Sequence, residues 1–136
     1  MAKPINLLLI EDNLDDEQLS VRQLRKVRSC GWIEVSRDGE MALTRLMDPE
    51  LPLPDLVLLD LKLPKINGLE LLHRLRMNAR TANLRIIVLS APDEPGDVRA
   101  TYRQFADGFI EKPVMLEAFV AEAARLGIVS LNASVI

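Results

Sequence analysis

The chain has 136 residues, 49% of them hydrophobic and 27% charged, with a formal net charge of −3. That fits one globular domain able to bury about two thirds of its unfolded surface, and it gives no electrostatic footprint for nucleic acid. Cys30 is the one cysteine, so an internal disulfide is excluded and a reducing, cytoplasmic setting is expected.

The first apolar run, INLLLI (5–10), reads as a strand. It stops at Glu11 and Asp12 with no small-residue cleavage site, so a first strand is expected here rather than a signal peptide. No stretch approaches the ~18–20 apolar residues of a membrane span, so no membrane association is expected. Residues 15–27 place Leu19, Leu24 and Val27 at helical spacing, with acids in the first turn and bases in the last. A second strand, WIEVS (32–36), precedes a short helix over 39–47, with Asp38 as its cap and Pro49 beyond its end. There follow a strand over 55–60, a helix over 67–78, a strand over 85–90 and a helix over 97–105. A strand over 108–111 and a helix over 115–126 complete the series.

Five strand–helix units of this kind predict a parallel sheet covered on both faces, with right-handed crossovers. Sites in such sheets form outside the carboxyl ends of the strands. Gly127 is suited to end the last helix. The domain is expected over 1–126, followed by an apolar, β-branched arm over 127–136 (GIVSLNASVI). Ten such residues cannot fold alone. Burying Ile128, Val129, Leu131, Val135 or Ile136 is worth roughly 1.5–3 kcal/mol each, so the arm is expected to join a homodimer.

The strand ends carry the chemistry. The first ends in Glu11 and Asp12, the third in Asp60, the fourth in Ser90, and Lys112-Pro113 follows the fifth. A parallel sheet puts all of these on one edge. Two carboxylates about 5 Å apart repel by roughly 3 kcal/mol at an effective dielectric near 20. Three together must protonate or recruit a cation. With no Cys or His nearby, all-oxygen ligation favours Mg²⁺, Mn²⁺ or Ca²⁺. An acid cluster with such an ion and a lysine suits phosphoryl transfer to an aspartate.

Blander readings stand beside these. Asp60 alone could cap a turn, Glu11 and Asp12 could be a solvated loop pair, Ser90 could satisfy a strand end, and Lys112 could be a surface lysine. Asp15 and Asp16 read as helix N-terminal charges. His73 reads as an exposed bystander, Cys30 and Trp32 as packing residues, and Arg22, Arg25, Lys26 and Arg28 as a solvated face or a partner contact.

The segments LLLIEDN (7–13), DLVLLDLKLPKINGLELL (55–72), IIVLSA (86–91) and DGFIEKP (107–113) together resemble the receiver domain of two-component response regulators. The resemblance covers about residues 5–126 and implies a flavodoxin-like α/β fold, a five-stranded parallel sheet in order 2-1-3-4-5 with five helices. It implies that Asp60 is the phosphoacceptor. Mg²⁺ or Mn²⁺ would be held by Glu11, Asp12, Asp60 and the backbone carbonyl of Lys62, with Glu11 acting through water. Ser90 and Lys112 would bind the phosphoryl group, and the Lys112–Pro113 bond would be cis. Ser90 and Phe109 would form the switch, with the loop over 91–97 as the moving part. Gly68 would permit a tight turn.

The implied partner is a sensor histidine kinase, docked against the first helix. The implied role is a stand-alone phosphoacceptor in signal transduction rather than an enzyme with turnover. LLIEDN, SRDGEMAL and DPELPLPD are similar to receivers paired with bacterial phytochromes. Lys62 and Pro92, two residues after the acceptor and after Ser90, are poor at positioning water, so slow self-dephosphorylation is expected. Three rivals fit less well. The EDNLDDE loop would repel a flavin phosphate, Lys62 stands where a haloacid-dehalogenase-like phosphatase wants Asp, and no P-loop motif is present.

Overall fold

Our computed structural model describes residues 3–63 and 66–128. The strands β1 (Ile5–Ile10), β2 (Cys30–Ser36), β3 (Leu56–Asp60), β4 (Ile86–Ser90) and β5 (Gly108–Glu111) alternate with helices α1 (Leu14–Leu24), α2 (Gly39–Met47), α3 (Gly68–Arg76), α4 (Gly96–Arg103) and α5 (Leu116–Arg125). The sheet order is β2-β1-β3-β4-β5, every pairing parallel. This is the flavodoxin-like architecture expected from the sequence.

Successive side chains on a strand point to opposite faces, and the core divides accordingly. Leu7 and Leu9 of β1, Leu56 and Leu58 of β3, and Ile87 and Leu89 of β4 pack with Leu24 of α1 and Phe119 of α5. The alternate residues Leu8, Ile10, Val57, Leu59, Ile86 and Val88 pack with Leu46, Leu71, Leu75 and Tyr102 of the other helices. The near-continuous apolar strands are therefore two interleaved half-cores.

Helix ends follow their capping residues. The side chains of Asn13, Asp38 and Asn67 accept the backbone N–H groups of Asp16, Met41 and Glu70, each three residues on. α1 ends at Leu24, three residues short of its expected end, where Lys26 and Val27 turn back onto the carbonyls of Gln23 and Leu24. Leu19 also departs from expectation: it is 46% exposed, and Ser20 and Leu24 face the core instead. At the end of α5, Gly127 takes φ 75°, and the N–H groups of Gly127 and Ile128 bond back to Ala124 and Ala123. That pattern is a Schellman cap. The expected arm lies outside the described residues from 129 onward.

The amino-terminal edge of the sheet is clamped by arginines. Arg76 donates to the carbonyls of Ala82, Leu84 and Phe105 and to Asp107 Oδ2. The same Asp107 oxygen accepts the N–H of Ile86. Arg80 gathers the carbonyls of Leu46, Asp48 and Leu51. Among the described residues, no helix is long and apolar enough to cross a membrane.

Candidate functional site at the carboxyl edge of the sheet

β3 runs fully buried until Asp60, whose carboxylate emerges at the carboxyl edge while the residue stays 5% exposed. Its Oδ1 accepts the N–H of Lys62 at 3.2 Å, and its Oδ2 accepts a hydrogen bond from Lys112 Nζ at 3.0 Å. β1 delivers Glu11, fully buried, and Asp12, exposed. One carboxylate oxygen each of Glu11, Asp12 and Asp60 lie within 4.8 Å of one another. Three such oxygens, with neither sulfur nor imidazole among them, suit a hard divalent cation.

Lys112 reaches the cluster from the end of β5. Its backbone N–H is held by the carbonyl of Ser90 at 2.8 Å, and the Lys112–Pro113 bond is cis. Its Nζ stands 3.0 Å from Glu11 Oε1 and 3.1 Å from Asp16 Oδ2, besides Asp60. Burial, reinforced by a hydrogen bond with Asp60 and by its negative charge, pushes Glu11 up to about 7, against the pull of Lys112. Burial alone would lower the Lys112 ammonium. Hydrogen bonds with Glu11 and Asp60 outweigh it and hold the group above its ordinary range.

Asp12, Asp16, Asp60 and Lys112 border a cleft of about 240 Å³, lined also by Asn13, Lys62, Ala91 and Glu94. Ser90 closes β4 beside Asp60 and is 2% exposed. Phe109 lies on β5, half-buried, with the Arg103 guanidinium 5.4 Å from its ring centre and its N–H donated to Glu122. Gly68 is not needed for an unusual backbone. A Cβ there would meet the carbonyl oxygens of Leu61 and Asp60 at 2.9 and 3.1 Å, so the glycine lets α3 start against the chain that carries Asp60.

The structure thus brings Glu11, Asp12, Asp60 and Lys112 together, with Lys62 on the rim and Ser90 at the neighbouring strand end. Asp16 belongs to the cluster as well, beyond its expected role as a helix-terminal charge. The sequence carries no signal for this beyond an acid in the first turn of a helix, which the helix dipole alone explains. His73 is exposed on α3, its ring edge-on to Phe105. Cys30 packs on the core, and Arg45 lies over the Trp32 ring.

An acid cluster and a lysine at the switch edge of a 2-1-3-4-5 sheet define a phosphoacceptor signalling domain. The chain belongs to the response regulator receiver domain family, which it matches over residues 7–124. It is 34% identical over 117 residues to the probable methanogenesis regulatory protein FilR2 of Methanothrix harundinacea, covering 84% of this chain and 76% of that one. The solved bacteriophytochrome response regulator AtBRR matches with TM-score 0.83 and 30% identity, over 94% of this chain and 96% of that one. Response regulator Rcp1 of Synechocystis is 30% identical over 80% of this chain and 77% of its own length. The Mn²⁺-bound form of Rcp1 has been solved and matches with TM-score 0.75 and 25% identity, over 98% of this chain and 99% of that one. Several longer regulators match along only about half their length.

Proposed function

We propose that Asp60 accepts a phosphoryl group from a phosphohistidine of a sensor kinase, and that this chain is a receiver of the phytochrome-associated kind. The observation that supports this most is the hydrogen bond between Lys112 Nζ and Asp60 Oδ2 inside a cluster with Glu11 and Asp12. In the transfer, an Asp60 oxygen attacks phosphorus, the P–N bond to the donor imidazole breaks, and an acyl phosphate forms. Glu11, Asp12, Asp60 and the Lys62 carbonyl would hold Mg²⁺ or Mn²⁺, which when bound neutralises charge on the phosphoryl oxygens. Lys112 offers its ammonium to one of those oxygens and Ser90 its hydroxyl to another.

The output runs through α4 and β5. α4 has one buried side chain, Tyr102, and no side-chain cap at its start. Arg99 ties it to Glu111, and Arg103 stacks over Phe109. An element held this lightly is readily biased by movement of Ser90 and Phe109. The kinase docks beside the cleft on α1, where Leu14 and Leu19 are exposed along with Met115 ahead of α5. On this reading the arm over 127–136, which lies outside the described residues from 129 onward, takes part in a homodimer.

Incubation with acetyl phosphate and Mg²⁺, read by intact mass, tests the acceptor. One added phosphoryl group on the natural chain and none on Asp60→Asn is the expected result. Sustained phosphate release with turnover would instead indicate a phosphatase.

A further inference from the structure

We propose that Asp16 is a positioning residue for phosphoryl capture, holding the place on the Lys112 ammonium that an incoming phosphoryl oxygen takes. This rests on the reading of Asp60 as acceptor. An ammonium has three N–H donors and no acceptor. Three carboxylates lie within ion-pair distance of this one: Glu11 at 3.0 Å, Asp60 at 3.0 Å and Asp16 at 3.1 Å, the Asp60 contact being a hydrogen bond. An incoming anion competes with these carboxylates for the ammonium.

Exposure decides which one yields. The Glu11 side chain is 0% exposed and that of Asp60 is 7% exposed, whereas that of Asp16 is 39% exposed. Glu11 has no route to water, and a carboxylate parted from its cation inside the protein is costly. Asp60 must stay to react. Asp16 returns to solvent at little cost. Its backbone is fixed, since its N–H is held by Asn13 Oδ1 at 2.9 Å, so only the side chain needs to swing. At rest Asp16 keeps the ammonium aimed at the acceptor; during capture it competes with the donor.

The test uses the full chain with saturating Mg²⁺ and two probes, acetyl phosphate and beryllium trifluoride. Asp16→Asn and Asp16→Ala are expected to lower the half-saturating concentration of both probes by about three-fold. Asp16→Glu, which keeps the charge, is expected to move the value back toward that of the natural chain. General loosening of the fold would lower the maximal rate or the thermal midpoint without improving half-saturation. A half-saturation equal to or above that of the natural chain in the Asn and Ala variants overturns the role of Asp16. Absence of phosphoryl uptake by the natural chain overturns the acceptor reading itself.

Discussion

Lys112 and Asp60 are 52 positions apart in the chain, yet the ammonium of one hydrogen-bonds the carboxylate of the other at 3.0 Å. The contact exists because β3 and β5 flank β4 in a parallel sheet and end on the same side. Removing the ammonium leaves Glu11 and Asp60 facing each other. We expect Lys112→Ala to lose roughly 1–3 kcal/mol of stability without metal. Excess Mg²⁺ should reduce the deficit, since a cation then restores the missing positive charge. Urea midpoints with and without Mg²⁺ check both statements.

The pH dependence of the metal-free protein follows from Glu11. In the folded protein it keeps its proton up to about 7, against an ordinary value of 4.5. Between those limits the folded state binds more protons than the unfolded chain. The contribution of Glu11 to stability therefore falls as pH rises through that window, by at most about 1.4 kcal/mol per pH unit. Urea unfolding in chelator across the window should show this slope, and Glu11→Gln should flatten it.

Arg76 places one planar fork on three carbonyls and a carboxylate. A lysine cannot reproduce that arrangement. Arg76→Lys is expected to cost about 2 kcal/mol or more, with phosphoryl uptake retained at temperatures where the variant is folded. Thermal unfolding alongside the mass assay measures both.

Lys62 lines the cleft with its side chain exposed. It can donate hydrogen bonds but cannot accept one from water. Lys62→Asn supplies an acceptor in that place and should shorten the lifetime of the acyl phosphate several-fold. Loss of the phosphoryl group followed by intact mass decides it; equal lifetimes would show that water is positioned elsewhere.

The C-terminal arm is tested by sedimentation. The truncated chain should end at Ile128, because the Ile128 N–H completes the cap of α5. The full chain is expected to sediment as a dimer and the shortened one as a monomer. Equal sedimentation would remove the arm from the interface.

Much of this architecture is legible in the residues because local and global demands agree. The strands are continuous runs of Leu, Ile and Val bounded by polar residues, and the acids fall at strand ends where a parallel sheet must align them. Asp38 was readable as a cap; Asn13 and Asn67 play the same part with the same spacing. Leu19 misled because apolar spacing alone does not say which side of a helix meets the sheet, and Ser20 took the buried place. Asp16 was ambiguous because an acid in a first turn is explained by the helix dipole alone, so its approach to Lys112 needed coordinates. The arginine clamps were invisible because their partners, Asp107 apart, are carbonyls, which every residue has. For Gly68 the resemblance implies a turn residue, and the structure adds that a Cβ there would meet the backbone of Leu61 and Asp60.

The clamps have a mechanical consequence. Arg76, Arg80 and Asp107 rivet helix ends and loops together at the edge of the sheet remote from Asp60. The domain is therefore anchored at its base and loose at its rim, like a hinge pinned along one side. If Asp60 is phosphorylated as proposed, the lightly tethered α4, rather than the clamped base, is the part with room to yield.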